Sequence, residues 1–301
     1  MKKIFSFIFS LLLVFAFCTP AFATEPEVLL CSYTVNEYDA YVAARAAAES
    51  ELNASSISTQ EANWIQSNAI EDELLRRSKL TDEELYALGY DDEKISILRS
   101  YNGERIENVA ELRGVFADMT ASFTKIIANT SYLCVRADWA WSNSPLMAGT
   151  AVYDRVVIRW QGTNSAGAPI NLALESGRSL CSVKYYHPSN DVYNFTRYPD
   201  MDSDDISPYE HASAKIQMGV LNGKTGEVDY AKCGSLKVCV KSTGSDIINE
   251  GAFIFGYGHA SYGVAVSLSL PPTFGIGFSA KSTTMVQKAI RLTSSGTMIE
   301  Y

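Results

Sequence analysis

The hydrophobic residues of this chain change their spacing near residue 116. Before that point apolar side chains recur every third or fourth residue, which is the period of an amphipathic helix. After it they fall on every second residue, as in strands with one buried face, and Gly, Asn and Ser clusters separate the runs. The sequence therefore predicts an α+β protein, with an N-terminal helical region over residues 24–116 and an antiparallel, jelly-roll-like β-sandwich over residues 117–301.

Capping signals divide the later part of the helical region into a hairpin of two short helices. Thr81 and Glu84 have the spacing of a capping box, and Gly89 follows as a C-terminal stop. Asp91 or Asp92 then caps the second helix. The apolar residues of this hairpin are too few for a core of their own. We therefore expect the hairpin to dock on the preceding helices, on the β domain or on another protein.

Two of the period-two runs predict which face of each strand is buried. The first run puts one set of side chains on a single face, with Arg136 and Asp138 opposite: Leu133, Val135, Ala137, Trp139 and Trp141. The second run groups Val152, Val156, Ile158 and Trp160 in the same way. Because alternate side chains of a strand point to opposite faces, both sets are expected in the core of the sandwich.

The first 23 residues have the pattern of a secretory signal peptide. Lys2 and Lys3 precede an apolar run over residues 4–17, and Ala21-Phe22-Ala23 provides the small residues of a cleavage site. After residue 23 no apolar stretch approaches the roughly 20 residues of a membrane-spanning helix. We therefore expect a secreted, extracellular protein with no transmembrane segment once the signal is removed.

Charge is divided unevenly along the chain. Residues 24–116 carry 19 acidic and eight basic side chains, whereas residues 117–301 carry 15 of each. A nucleic-acid partner requires a basic face, so this distribution argues against one. The partners expected from an exported chain of this kind are an extracellular or cell-surface protein or a glycan.

Five cysteines follow the signal region, and disulfides persist outside the cytoplasm. The disulfide candidates lie in the predicted β domain: Cys134, Cys181, Cys233 and Cys239. Cys233 and Cys239 would be roughly 20 Å apart on one extended strand, which is too far for a bridge, so each is expected to pair elsewhere.

One long loop, residues 185–210, combines aromatic rings with Asn, Asp and Ser side chains. Flat aromatic faces beside amides and carboxylates are suited to sugar recognition, and the candidate ligand-binding residues are Tyr185, Tyr186, Tyr193 and Tyr198. The alternative is that these rings fix the loop to the sandwich. Long loops of this kind are commonly functional or mobile.

The same loop contains an alternating acidic motif of Asp200, Asp202 and Asp204. Alternating carboxylates on a turning backbone provide the hard oxygen ligands that Ca²⁺ prefers. The motif lacks the Gly and Glu of an EF-hand loop, where Asp205 and His211 stand instead. Calcium is therefore the one cofactor candidate, against the alternative of a solvated acidic turn and no cofactor.

No catalytic motif is present around the three histidines. The leading hypothesis is a secreted, non-enzymatic binding or interaction protein that acts outside the cell or at its surface. One alternative is a toxin-like or bacteriocin-like effector whose helical region is a pro-segment cut near residues 103–117. Another is a hydrolase that pairs His211 with Ser213, or His187 with Cys181.

An apolar hairpin is predicted over residues 263–280, around Pro271-Pro272. Its arms of eight and seven residues are shorter than the 9 to 11 residues of a membrane-crossing strand. A place in the sandwich core is therefore favoured over membrane insertion or self-association along an edge.

Overall fold

The protein is described here by a computed structural model. It covers residues 27–53, 68–146, 153–187, 190–201, 206–207, 210–258, 267–269, 279–281 and 284–300. The predicted signal peptide of residues 1–23 lies outside these ranges. The strands are β1 (Val28–Asn36), β2 (Asp118–Ala128), β3 (Tyr132–Trp141), β4 (Tyr153–Thr163), β5 (Pro169–Ile170), β6 (Leu172–Leu174), β7 (Leu180–His187), β8 (Val192–Arg197), β9 (Ile206–Ser207), β10 (His211–Gln217), β11 (Gly219–Leu221), β12 (Val228–Ser242), β13 (Glu250–Gly258), β14 (Ser267–Ser269), β15 (Ser279–Lys281), β16 (Thr284–Thr293) and β17 (Met298–Glu300).

Two antiparallel sheets pack face to face, which confirms the predicted β-sandwich. Sheet A has the order β1-β2-β3-β12-β7-β8, with β6 and β11 also paired to β12. Sheet B has the order β17-β16-β13-β4-β10-β9, with β5 also paired to β4. Side chains from both sheets form one apolar core between them.

The strand order corrects the jelly-roll part of the prediction. A jelly roll consists of two Greek keys, whereas an immunoglobulin sandwich has the spatial orders A-B-E-D and C-F-G. Sheet A contains the order β2-β3-β12-β7 and sheet B contains β4-β13-β16. These are the immunoglobulin orders. Strands A to G correspond, in chain order, to β2, β3, β4, β7, β12, β13 and β16. Strand β10 is an additional strand that pairs with β4. Hydrophobic alternation could not reveal this, because it fixes the faces of strands and not their order.

The predicted inward face of β3 is confirmed. All five of its apolar residues are buried in the core, and Trp139 stacks on Phe255 with ring centroids 6.4 Å apart. Trp141 meets the ring of Tyr257 edge to face at 5.8 Å. The tryptophans therefore join sheet A to sheet B.

A carboxylate also lies in this core. Asp154 on β4 is completely buried, and the Tyr257 hydroxyl donates a hydrogen bond to its Oδ2. Trp141 Nε1 donates to the same hydroxyl oxygen at 3.4 Å. The hydroxyl of Tyr257 thus links the core carboxylate to the indole of Trp141 across the two sheets.

The helices form a second unit with its own core. They are α1 (Glu37–Asn53), α2 (Ala69–Arg77), α3 (Asp82–Ala87) and α4 (Asp92–Ser100), followed by two 3-10 turns, Ile106–Asn108 and Ala110–Gly114. The predicted capping box of Thr81 and Glu84 is present, and Asp91 caps α4 by accepting from the Lys94 N–H. Gly89 has φ +85°, which favours glycine at this helix end.

The structure shows which part of the protein the helical hairpin packs against. Leu85 of α3 and Leu98 of α4 share one buried cluster with residues of α1, α2 and Leu146. Leu146 follows β3 and is held by two buried charged side chains. Glu37 accepts from its N–H at 3.0 Å, and Arg77 donates to its carbonyl oxygen. The hairpin therefore docks on the preceding helices, and the helical core is bonded to the chain that leaves the sandwich.

The N-terminal region is not helical throughout, which corrects the prediction for residues 24–116. Strand β1 pairs with β2 from Val28–Lys125 to Asn36–Asp118 and forms the edge of sheet A. Asn36 ends the strand and caps the N-terminus of α1, because its side-chain oxygen accepts from the Tyr38 N–H at 2.9 Å. The helices are thus an insertion between two neighbouring strands of one sheet.

The hairpin at residues 263–280 falls mostly outside the described ranges. Its arms pair antiparallel where they are described, from Ser267–Lys281 to Ser269–Ser279. The predicted burial of its apolar face concerns side chains outside the described part and stays a prediction.

Buried tyrosines make the stability of the fold sensitive to alkali. Burial raises the pKa of Tyr185 to about 12 and the pKa of Tyr257 well above its ordinary value. The unfolded chain releases these protons near pH 10, whereas the folded chain keeps them. The unfolding free energy is therefore complete below about pH 10 and is expected to fall as the pH rises further.

Melting temperatures measured between about pH 8 and about pH 11 test this expectation. Tyr185→Phe should flatten the decline, and Tyr198→Phe, at a residue that is 63% exposed, should not. An equal slope for the two variants would contradict the assignment.

Candidate binding groove

An open groove of about 510 Å³ crosses the solvent face of sheet A. Its floor comes from four adjacent strands, and the strand registers align the residues in rows. One row joins Ser122, Asp138, Ser235 and Ser182, and the next joins Thr120, Ala140, Cys233 and Lys184. We call these eight residues, together with Arg136 and Gly234, the sheet A groove. It exists because most of its floor side chains are short.

Two contacts fix the floor between β7 and β12. The hydroxyl groups of Ser182 and Ser235 are 2.9 Å apart. Gly234 precedes Ser235 on β12. A Cβ added to Gly234 would stand 2.4 Å from the indole of Trp139. Any larger residue at this position would displace the buried tryptophan. The large ring below the floor therefore requires the glycine above it.

The charges at the groove are largely paired. Arg136 Nε lies 2.9 Å from Asp138 Oδ1, and the same guanidinium reaches Glu27 at 2.9 Å. Lys184 is exposed and, among the described residues, has no carboxylate at ion-pair distance. The groove thus offers hydroxyl groups, one arginine shared by two carboxylates and one available ammonium group.

A cysteine lies in the groove, but it is not an activated nucleophile. Burial raises the pKa of the Cys233 thiol, and the Lys184 ammonium and the Tyr186 hydroxyl offset this only in part. The thiolate is the reactive form of cysteine, so at neutral pH this side chain is a poor nucleophile. No histidine is among the described residues that line the groove. The described lining is therefore equipped for binding by hydroxyl, thiol and charged groups.

Aromatic side chains extend the groove at one end. Tyr186 follows Lys184 on the outer face of β7, and its ring meets Tyr193 of β8 edge to face at 5.9 Å. The Lys232 ammonium lies 5.2 Å from the Tyr186 ring centre and pairs with Asp191. Tyr193 is half exposed. These two tyrosines offer ring surface beside the hydroxyl rows.

The four tyrosines that were predicted to bind a ligand therefore do not lie at one site. Tyr186 and Tyr193 lie together beside the groove. Tyr185 is a correction to the prediction, because it is 1% exposed, stacks on Phe195 at 4.8 Å and donates to the Gln217 carbonyl. The strand alternation places it on the core face of β7, opposite its neighbour. Tyr198 is exposed beyond the end of β8.

The predicted calcium motif is only partly within the described ranges. Asp200 is described, whereas Asp202 and Asp204 lie outside them. Within the described ranges no cluster of three or more His, Cys, Asp or Glu side chains has metal-binding geometry. Calcium binding by this loop stays a prediction.

Of the four disulfide candidates, one pair is bonded. Cys134 and Cys239 face each other on β3 and β12 and form a disulfide with Cα atoms 4.0 Å apart. Cys181 and Cys233 are thiols, which corrects their assignment. Cys181 points into the core and Cys233 points into the groove, so the sheet separates them.

The geometry also speaks against the proposed hydrolase pairs. Burial raises the pKa of the Cys181 thiol to about 12, and His187 is six residues away along the same strand, or roughly 20 Å. His187 Nε2 instead lies 2.7 Å from Glu227. Ser213 is 3% exposed, and its hydroxyl accepts from Arg155 at 3.4 Å. Neither pair presents an accessible, activated nucleophile.

No protein-family model matches this chain, and no curated protein matches it either. Among solved structures it is similar to the collagen-binding domain from a Staphylococcus aureus adhesin, at 10% identity and a TM-score of 0.25, covering 55% of this chain and 89% of that one. The collagen-binding subdomain of the Enterococcus faecalis surface protein ACE matches at 6% identity, a TM-score of 0.25 and the same two coverages. AvmM, described as catalysing macrocyclization in alchivemycin A biosynthesis, matches at 11% identity and a TM-score of 0.25, over 58% of this chain and 88% of that one. At these TM-scores the likenesses carry no argument about ligand or activity.

No helix within the described ranges has the length and apolar character that a membrane span requires.

Proposed function

We propose that this chain is an extracellular, non-enzymatic binding protein that takes an extended polymer in the sheet A groove. The observation that carries the proposal is the groove itself, a trough of about 510 Å³ on the solvent face of sheet A. The described lining combines a short polar floor with neighbouring aromatic rings, and the pKa of its one cysteine, Cys233, is raised by burial.

The shape of the groove favours an extended ligand. Its binding groups follow β7 and β12 from the Ser182–Ser235 pair, past Lys184, to the Tyr186–Tyr193 pair. The exposed face of β7 from Leu180 to Tyr186 is about 20 Å long at the rise of an extended strand. A linear polymer lying along these strands would contact hydroxyl groups, an ammonium group and aromatic rings in succession.

Two features support a location outside the cytoplasm. Residues 1–23 have the charge, apolar run and small residues of a secretory signal peptide. The Cys134–Cys239 disulfide joins neighbouring strands of sheet A, and such bonds persist mainly in oxidising compartments.

The alternative of a removable helical pro-segment has less support. A cut within residues 103–117 would leave α1 joined to β1, which pairs with β2 along sheet A. Ile106 and Leu112 within that stretch are completely buried. Release of the helices would therefore require a second break, or the loss of an edge strand.

Filling the groove tests the proposed function. Ser235→Trp would place an indole over the hydroxyl row, so we expect it to weaken binding to any polymer that the protein takes by about tenfold or more. Binding is measured on a panel of immobilised neutral and charged polysaccharides and extended peptides.

Ser131→Trp is the matched control, because Ser131 is exposed in the turn between β2 and β3 and outside the groove. It should leave binding unchanged while the fold of both variants is checked by circular dichroism. If Ser235→Trp binds as well as the unmodified protein, or if nothing on the panel is bound, the proposal is wrong.

A further inference from the structure

We infer that the polymer taken by the groove is an acidic polysaccharide, carrying carboxylate or sulfate groups. This inference rests on the proposed function and adds the chemical class of the ligand. It comes from the charges that remain on the groove face after its ion pairs are formed, and from the groups that stand between those charges.

Three carboxylates on this face have basic partners. Asp138 and Glu27 share the one guanidinium of Arg136, which leaves that cluster with one net negative charge, and Asp191 pairs with Lys232. Two ammonium groups remain. Lys184 lies in the groove, and Lys237 lies one step beyond Ser235 on the outer face of β12, with no carboxylate at ion-pair distance among the described residues. These four cations and three carboxylates give the face an excess of one positive charge, in a chain of net charge −9.

The two ammonium groups flank the hydroxyl row. Lys184 pairs in register with Cys233, and Lys237 is four residues further along β12, which separates their backbones by about 14 Å. The Ser182 and Ser235 hydroxyls lie between them. An acidic polymer lying along β12 would meet a cation, a pair of hydroxyls and a second cation in turn.

Asp118 is a further exposed carboxylate near this face. Asp118 is at the start of β2, where its Oδ1 accepts from the Asn36 amide at 2.9 Å. Three strand spacings, or about 14 Å, separate β2 from β7. Asp118 does not line the groove and lies on the opposite side of it from Lys184, so an anionic ligand that follows β7 and β12 avoids this carboxylate.

A polysaccharide fits the remaining groups better than an acidic polypeptide does. Sugar rings pack their C–H faces on aromatic rings, and the Tyr186–Tyr193 pair adjoins Lys184 on the same face. Sugar hydroxyls exchange hydrogen bonds with serine and threonine hydroxyls, which Ser182, Ser235 and Thr120 provide. An acidic polypeptide would also hydrogen-bond these hydroxyls through its backbone, but its Asp and Glu side chains offer no sugar C–H face to pack on the tyrosine rings.

The test compares four immobilised polymers: heparin-type sulfated polysaccharide, polygalacturonate, neutral dextran and polyglutamate. We expect binding to the sulfated polymer, the uronic acid polymer or both, with affinity that falls as salt is added. Replacing both free lysines, Lys184→Gln with Lys237→Gln, should weaken this binding by about tenfold and flatten its salt dependence.

The control variant carries Lys215→Gln and Lys224→Gln, which remove the same charge from exposed positions outside the groove. It should bind like the unmodified protein. Preference for polyglutamate over both acidic polysaccharides, binding to none of the four polymers, or equal losses in the two double variants would each overturn the inference. If dextran or a peptide is bound instead, and only Ser235→Trp abolishes that binding, the groove function stands and the acidic class is wrong.

Discussion

Replacing Arg77 by alanine is expected to lower the free energy of unfolding by about 3 to 5 kcal/mol, as the removal of one member of a buried charged network does. Arg77 is 3% exposed and donates to the carbonyl oxygens of Pro145 and Leu146 and to the Tyr90 hydroxyl. Alanine would leave these buried acceptors without their donor. Because the Pro145–Leu146 segment leaves β3, we expect helices and sheets to unfold in one transition at lower denaturant concentration.

The neighbouring Arg76 provides a matched control. Its side chain is 57% exposed and pairs with Glu73, which Arg77 also contacts. Arg76→Ala should cost about 0.5 kcal/mol or less, because exposed ion pairs contribute little. Denaturant unfolding followed by far-ultraviolet circular dichroism measures both variants. Equal losses in the two variants, or separate transitions of the helices and the sheets in the unmodified protein, would show that the buried network does not join the two units.

Replacing Tyr257 by phenylalanine is expected to cost about 1 to 3 kcal/mol although it removes one oxygen atom. The Tyr257 hydroxyl donates to the buried carboxylate of Asp154 and accepts from the Trp141 indole. Phenylalanine keeps the ring that packs between the two sheets and removes the hydroxyl with its hydrogen bonds, including a weak one to the Met218 sulfur at 3.8 Å. The loss therefore reports the hydrogen bonds and not the packing.

A double-mutant cycle isolates the pair. Asp154→Ala should cost less in the Tyr257→Phe background than in the unmodified protein, with a coupling of about 1 to 3 kcal/mol. Tyr193→Phe removes a hydroxyl from a residue that is 50% exposed and should change stability by less than about 0.5 kcal/mol. Additive losses of Asp154→Ala and Tyr257→Phe would contradict the assignment.

The sandwich was predictable because its strands alternate clearly. On β3 the parity of five apolar residues identified the buried face, and the short helices α3 and α4 were marked by local caps. Strand β1 was missed because its apolar residues Leu29, Leu30 and Cys31 are consecutive, and a register shift lies between Leu29 and Cys31. Its partner residues on β2 are also about ninety positions away in the chain, so no local signal reports the pairing.

The groove could not be predicted from the sequence as a site. Its floor residues are Ser, Thr, Ala and Gly on four separate strands, and only the strand registers bring them together. The usable signal was a series of unusually short side chains at outward positions, such as Thr120, Ser122, Ser182 and Ser235. The core carboxylate carried a clearer signal, because Asp154 shares the parity of the apolar residues Val156 and Ile158 on β4.

The pairing of β1 with β2 has a consequence for how this protein can be altered. The chain enters the helical unit after Asn36 and returns to the sheet at Asp118. These two residues form the last pair of the β1–β2 ladder. Antiparallel neighbours can be joined by a two-residue turn, so everything from residue 37 to residue 117 occupies the place of a hairpin loop. The topology of the sheet would therefore allow a short turn in place of the helical unit. A chain shortened in this way would lose the buried contacts of Glu37 and Arg77 with Leu146.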